Sequence, residues 1–332
     1  MQRQVELIGA AWGLGGADPG CAEAPAVLIP QIAARLAECG VAALAGAMIE
    51  SSAGERRKSL AVGRLCGQLA AAVAQARREG RLPCVIGGDH SCAGGTWSGV
   101  ARTLEGRLGL VWIDAHMDSH TPATSHTGRL HGMPLAWLLG ELDDPLYGLA
   151  AGVVDPGHVC LVGVRSYEPE EDERLRRLGV RVVFMEEIRR RGIDAVLAEA
   201  LDFATAGTSA FGVSIDLDVV TPEDAPDVGT PVAGGVTSEE LARAAIASSA
   251  RARASPPSSS SNTARASTAT AAPRASRWIS SPPRYAGRAR MRRSSPKRSS
   301  ERTRSRSRFS SAAKAGRSSI PCAASPRKLG LR

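Results

Sequence analysis

Asp114, His116 and Asp118 place three potential metal ligands within five residues, at the end of the short apolar run that opens LGLVWIDAHMDSH. Two other stretches share this character. VIGGDHS sets His90 just beyond one apolar run, and FGVSIDLD sets Asp216 and Asp218 at the end of another. Three strand-like runs, each with hard or borderline ligands at its C-terminal end, point to a metal centre at the carboxyl edge of a parallel sheet.

Together the clusters supply two imidazoles and four carboxylates. One divalent ion rarely needs six such groups, and four packed carboxylates without cations would repel and take up protons. Two ions resolve this, with bridging carboxylates shared between them. The mix of oxygen and imidazole donors suits Mn²⁺, with Fe, Co or Zn also compatible. Such a pair generates hydroxide from water near neutral pH and holds it against an electrophilic carbon. Taken alone, DxHxD could be a solvated acidic turn. Three ligand-bearing strand ends in one chain weigh against that.

The elements that must carry these residues can be read in order. Val5 to Gly13 reads as a buried strand passing into a glycine-rich loop, which lacks the GxGxxG-into-helix form of a dinucleotide site. A helix runs from Pro25 to Glu38, stopped by Gly40, and Val41 to Ile49 fits either a strand or a short helix. Glu55 to Arg78 is a long helical pattern, ended by Gly80 and Pro83. Strands follow at CVIGG, at Gly109 to Ile113, at His158 to Arg165, at Val180 to Phe184 and at FGVSI. Helices are expected at Gly94 to Leu104, from Met133 to Leu139, and over Ile188 to Leu201, with a loop at 120–131 forming the site mouth. Short apolar runs alternating with helices argue for a parallel sheet covered on both faces.

Charge divides the chain. Residues 1–240 hold 20 Lys+Arg against 32 Asp+Glu, a net of −12, while residues 241–332 hold 22 against the single acid Glu301, a net of +21. After about Ala245 the composition turns to Ser, Arg, Ala and Pro without period, which cannot bury enough surface to offset the entropy of ordering. The expected organisation is therefore an ordered domain over 1–240 and a disordered basic tail over 241–332. Seven scattered cysteines with no CxxC pair fit buried thiols in a reducing compartment. No leader and no run of 18 apolar residues occurs, so a cytoplasmic protein with no membrane segment is expected.

GGDHS, DAHMD and SIDLDVVTPEDAPDVGTPVAGG resemble the three signature motifs of the ureohydrolases, the arginase and agmatinase family. The likeness runs from about Val5 to Gly235 and is strongest to a bacterial arginase. It implies an α/β fold, a three-layer α/β/α sandwich around an eight-stranded, mostly parallel sheet. It also implies two Mn²⁺ ions per subunit, hydrolysis of a guanidino group to urea, and a homo-oligomer, trimeric or hexameric. By position, the resemblance makes His90, Asp114, Asp118 and Asp216 ligands of one ion, and His116, Asp114, Asp216 and Asp218 ligands of the other. Asp118 would also accept a hydrogen bond from the hydroxide. His131 matches the family's mobile histidine, which moves protons or assists the leaving amine. His126 is read as a solvated loop residue and His158 as structural.

The substrate loop HTPATSHTGRLHG is more similar to the arginase segment than to the agmatinase one. Arginases bind the substrate's α-carboxylate and α-amine there through Asn, Ser and Asn; His120, Thr127 and Arg129 stand at the matching positions. Thr127 keeps a hydroxyl donor, while His120 or Arg129 would favour an anionic group. Glu168 matches the acid that faces the substrate α-amine, with Glu171 near a second such position. L-Arginine is therefore the expected substrate, with agmatine or another guanidino acid as the alternative.

The family continues beyond this point into a helix, a strand and a motif close to DLVEVNP, whose Glu orients the guanidinium. No such motif follows Thr237 here. The tail reads either as a GC-rich coding region translated out of frame or as a genuine basic extension. A net of +21 would attract phosphate in a salt-dependent way, but Trp278, Tyr285 and Phe309 stand isolated, which disfavours a selected nucleic-acid role. The expectation is a ureohydrolase domain lacking its C-terminal elements, binding metal with little or no turnover.

Overall fold

The computed structural model describes residues 4–52, 57–142, 149 and 151–254, with side chains described to residue 248. Among these, seven strands form two sheets, and every ladder is parallel. β1 (Val5–Ala11) lies between β2 (Ala43–Glu50) and β3 (Leu82–Gly87). The second sheet runs β6 (Arg181–Phe184), β5 (Val159–Val164), β4 (Leu108–Ile113), β7 (Ala210–Ile215). The resemblance implied one eight-stranded sheet; the described residues give seven strands, with no ladder joining β3 to β7. The C-terminal ends of β3 and β7 nevertheless approach, since His90 Nε2 and Ser214 Oγ are 3.0 Å apart.

β4 and β5 are buried at all six of their positions, as expected for strands covered on both faces. The pleat sorts their side chains. Leu110, Trp112 and Leu161 join one core, which also holds side chains of α2 (Lys58–Arg78), α3 (Cys92–Ala101) and α4 (Pro134–Leu138). Val111, Ile113 and Val162 point the other way, into a core built with α6 (Met185–Arg191), α7 (Ile193–Thr205) and α8 (Ser238–Ala254). α1 (Ala24–Glu38) covers the remaining face of the first sheet through Leu28, Ile32 and Leu36, against Val5, Leu7, Cys84 and Ile86. Helices therefore flank the parallel sheets on both sides, and each fully buried Leu or Ile contributes about 1.5–3 kcal/mol.

Several elements differ from the sequence expectation for identifiable reasons. Of the strand or short helix that fitted Val41 to Ile49, the strand forms, as β2, because pairing with β1 overrides the Ala-rich helical propensity. The acidic stretch between β5 and β6 forms α5 (Pro169–Leu178). Its start carries Pro169 and a reciprocal Glu168/Glu171 capping box, and Gly179 ends it at φ 76°. The single helix expected over Ile188 to Leu201 divides into α6 and α7 at Gly192, φ 81°. α8 crosses the domain boundary drawn at residue 240 and reaches Ala254. A second capping box starts it: Glu240 Oε2 accepts from Thr237 N at 2.8 Å, and Thr237 Oγ1 accepts from Glu240 N at 3.1 Å. Of the disordered tail expected over 241–332, residues 241–254 instead continue α8, and residues 255–332 lie outside the described residues. No helix among the described residues is long and apolar enough to cross a membrane.

Candidate metal centre

Each ligand cluster sits where a strand ends. β3 runs into Gly88, whose place could take no side chain, since a Cβ there would come 2.2 Å from the Trp12 carbonyl. That close approach brings His90 over the sheet edge. The His90 ring stacks on Trp112, with ring centroids 4.3 Å apart. β4 then delivers Asp114, His116 and Asp118, and β7 delivers Asp216 and Asp218.

The clusters converge. His90 Nδ1 lies 3.0 Å from Asp114 Oδ2, 2.9 Å from Asp118 Oδ2 and 3.3 Å from Asp216 Oδ2. His116 Nδ1 lies 3.0 Å from Asp218 Oδ2 and 3.5 Å from Asp114 Oδ1. All six expected ligands thus meet at one place. His90, Asp114 and Asp216 form one group that could hold a metal ion, and Asp114, His116 and Asp218 form another. Asp114 belongs to both, with one oxygen toward each. Asp216 joins only the first of these groups, and its Oδ1 accepts from Asp218 N at 2.9 Å.

The electrostatics show what the cluster lacks. Burial pushes the Asp118 carboxyl up to about 8, helped by the charge on Asp114. Burial likewise raises Asp218 to about 7, with Asp216 and Asp114 adding to it. Burial would lower His116, yet Asp114 and Asp218 outweigh it and lift the ring to about 11. His90 is raised in the same way by Asp114, Asp118 and Asp216. Burial also opposes ionisation of Asp114, but His116 and His90 hold it below the usual carboxylate range. Without added cations these groups depend on retained protons to coexist. Moreover, His90 Nδ1 and Asp118 Oδ2 are buried and lack a hydrogen-bond partner, although they are 2.9 Å apart. Their lone pairs converge without the alignment of a hydrogen bond, which suits a shared cation. The residues fit metal ions.

Several supporting groups were not singled out from the sequence. Trp112 Nε1 donates to Asp114 Oδ2 at 3.0 Å, and His116 N donates to Asp114 Oδ1 at 2.7 Å. Ala115 N and Thr230 Oγ1 donate to the two oxygens of Asp218, at 3.2 and 3.0 Å. Asp89, buried beside His90, accepts from Gly15 N and Ser91 N at 2.9 Å each and so fixes the glycine-rich loop. The position of Trp112, two residues before Asp114 on β4, was the available signal for its role. Asp118 is the one non-glycine residue with positive φ (49°) among those described. Aspartate tolerates this region better than most residues, and such strain gathers at functional sites.

A cavity of about 230 Å³ opens beside the centre, lined by His90, Asp216, His131, Gly16, Trp97 and Ile215 among others. His131 therefore faces the same space as His90 and Asp216. Its N–H donates to Gly15 O at 3.2 Å, and burial lowers its pKa. At the rim, His120 Nε2 is 2.9 Å from Glu168 Oε2 and 3.3 Å from Glu171 Oε2, while Nδ1 is 3.2 Å from Thr124 Oγ1. Both ring nitrogens are thus engaged, and His120 is not free to meet an anion. Glu168 is half exposed, whereas Glu171 is buried and accepts from Ser119 N at 3.0 Å, a structural brace. Thr127 and Arg129 sit on an exposed turn, where Arg129 N donates to Thr127 Oγ1 at 3.3 Å. His126 is exposed, and His158 closes the short turn before β5.

The chain is 45% identical over 175 residues to the arginase of Bacillus caldovelox, covering 52% of this chain and 58% of that protein. It is 38% identical over 185 residues to human Arginase-1, covering 54% of this chain and 57% of that one. The chain therefore matches less than two thirds of the length of these relatives. The native structure of the Bacillus caldovelox arginase superposes with a TM-score of 0.73 at 33% identity, covering 84% of this chain and 95% of that one. The Arginase family model matches residues 3–252, and the chain belongs to that family.

Proposed function

We propose that this chain hydrolyses the guanidino group of L-arginine to ornithine and urea, with two Mn²⁺ ions held by His90, Asp114, Asp118 and Asp216 and by His116, Asp114, Asp216 and Asp218. The observation that carries this reading is Asp114, a buried carboxylate whose two oxygens face separate candidate ligand groups. Bound there, divalent ions would supply Lewis acidity and bring the pKa of water toward neutrality. The chain's own residues orient and move protons. The indole of Trp112 and the His116 N–H fix both oxygens of Asp114. Asp118 Oδ2, buried and facing the cluster, accepts a hydrogen bond from water entering the site. His131, on the cavity wall with its pKa lowered by burial, carries a proton to the leaving amine.

At the rim, Glu168 offers its half-exposed carboxylate to a substrate ammonium, and Thr127 and Arg129 remain to receive a carboxylate. An assembly of three or six chains in the cytoplasm completes the proposal. The free cysteines buried at Cys66, Cys84, Cys92 and Cys160 support a reducing compartment.

Urea release from arginine and agmatine by mass-verified protein with Mn²⁺ tests the reading. Arginine is expected to be the better substrate, and urea from agmatine alone overturns the choice. A second reading is metal binding without turnover. It is favoured by residues 241–332, which contain one acidic side chain, Glu301, to hold a guanidinium opposite the centre. Two bound ions with no urea from either compound would establish that reading instead.

A further inference from the structure

We propose that Arg165 is a positioning residue for the ion bound by His116 and Asp218, an inference that rests on the two-ion reading above. Arg165 follows β5 directly, and its backbone N–H donates to Ala115 O at 2.9 Å, inside the DAHMD loop. Its guanidinium then reaches four carbonyl oxygens from three segments. Nη2 donates to Asp218 O at 2.7 Å and to Val232 O at 2.8 Å, Nε donates to Ala233 O at 3.0 Å, and Nη1 donates to Gly163 O at 3.4 Å. Among the described residues it forms no salt bridge. A permanently charged side chain is thus committed entirely to backbone carbonyls, joining the end of β5, the Asp218 turn and the loop at 230–235.

That loop carries the contact that matters. Thr230 Oγ1 donates to Asp218 Oδ2 at 3.0 Å, and the same oxygen lies 3.0 Å from His116 Nδ1. By holding Val232 and Ala233 against the Asp218 carbonyl, Arg165 sets the distance between the hydroxyl donor and the carboxylate it orients. Gly235 permits the close fit, since a Cβ there would come 2.2 Å from Val219 O and 2.9 Å from Arg165 Nη2. The geometry needs the planar, multi-donor fork of arginine. A lysine ammonium keeps the charge but cannot span carbonyls in three directions. Arg189 provides the internal comparison. Its Nη2 donates to Gly234 O at 2.9 Å, fastening the same loop without touching Asp218.

The test is Mn²⁺ titration of the full chain, followed by calorimetry and by electron paramagnetic resonance of spin-coupled ion pairs. Outer residues that orient ligands change metal affinity by roughly 10–100-fold. Arg165→Lys is expected to weaken one of the two ions by that factor, abolish the coupled-pair signal at limiting Mn²⁺ and leave the other ion in place. Thr230→Val is expected to act on the same ion, and Arg189→Lys on neither. Far-UV circular dichroism of the metal-free variants checks folding, and if Arg165→Lys does not fold, Thr230→Val decides. Equal weakening of both ions, an equal effect of Arg189→Lys, or unchanged affinity in Thr230→Val overturns the proposal. An unmutated chain that takes up fewer than two ions overturns the two-ion reading and this inference with it. Two ions retained at unchanged affinity by Arg165→Lys overturns this inference alone.

Discussion

Replacing Trp112 with Phe removes a side-chain hydrogen bond to Asp114, the residue common to both candidate metal groups. Trp112 is fully buried, stacks on His90 with ring centroids 4.3 Å apart, and donates from Nε1 to Asp114 Oδ2 at 3.0 Å. Phe preserves an aromatic ring against His90 and loses the N–H. A hydrogen bond to a charged acceptor contributes about 1.5–3 kcal/mol, and removing it leaves a buried carboxylate oxygen less satisfied. The smaller ring leaves a void that adds on the order of 1 kcal/mol. The sum is about 2.5–4 kcal/mol, and for a domain of this size each kcal/mol lowers the Tm by about 2–4 °C. Thermal unfolding of the metal-free protein followed by circular dichroism should therefore show a fall of about 5–16 °C. A double-mutant cycle with Asp114→Asn isolates the pair, and a coupling above about 1 kcal/mol is expected. A Tm shift under about 2 °C, or a coupling near zero, would show that Trp112 merely fills space.

Two further perturbations test the frame around the site. Glu171→Ala removes the acceptor of Ser119 N and half of the α5 capping box; a loss of about 1–3 kcal/mol in urea denaturation is expected, and a loss below about 0.5 kcal/mol would refute its role as a brace. The buried thiols should also be measurable. Burial pushes Cys84 up to about 11 and Cys160 to about 12, against an ordinary value of 9.0. The folded chain therefore holds these protons where the unfolded chain has released them, so stability is complete below pH 9 and declines as pH rises toward 11. Cys160→Ala should flatten that decline by at most about 1.4 kcal/mol per pH unit. An unchanged slope, or rapid alkylation of Cys84 and Cys160 in the native protein at pH 8, would contradict their burial.

The candidate cluster was legible because metal binding needs particular atoms, and such atoms recur here just beyond strand ends. His90, Asp114, His116, Asp118, Asp216 and Asp218 follow the ends of three separate strands, each an apolar run that reads as a buried parallel strand. The supporting groups were not legible for the opposite reason. Trp112, Ser214 and Thr230 are ordinary strand and loop residues until folding places their donors within 3.0 Å of His90 or a ligand carboxylate. His120, by its type, reads as an anion contact. Tertiary packing instead brings Glu168, Glu171 and Thr124 onto its ring.

Local sequence settled what local physics controls: apolar runs that must be covered on both faces, glycines that stop helices, and side chains able to share a divalent ion. Tertiary structure decided that Ala43 to Glu50 is a strand, since its backbone pairs with β1 there. It alone set Asp118 at positive φ and placed the two oxygens of Asp114 toward different groups. It alone aimed one arginine at four carbonyls behind Asp218. These are contacts between residues far apart in the chain. Their energies depend on distances of a few ångströms that no spacing in the sequence encodes.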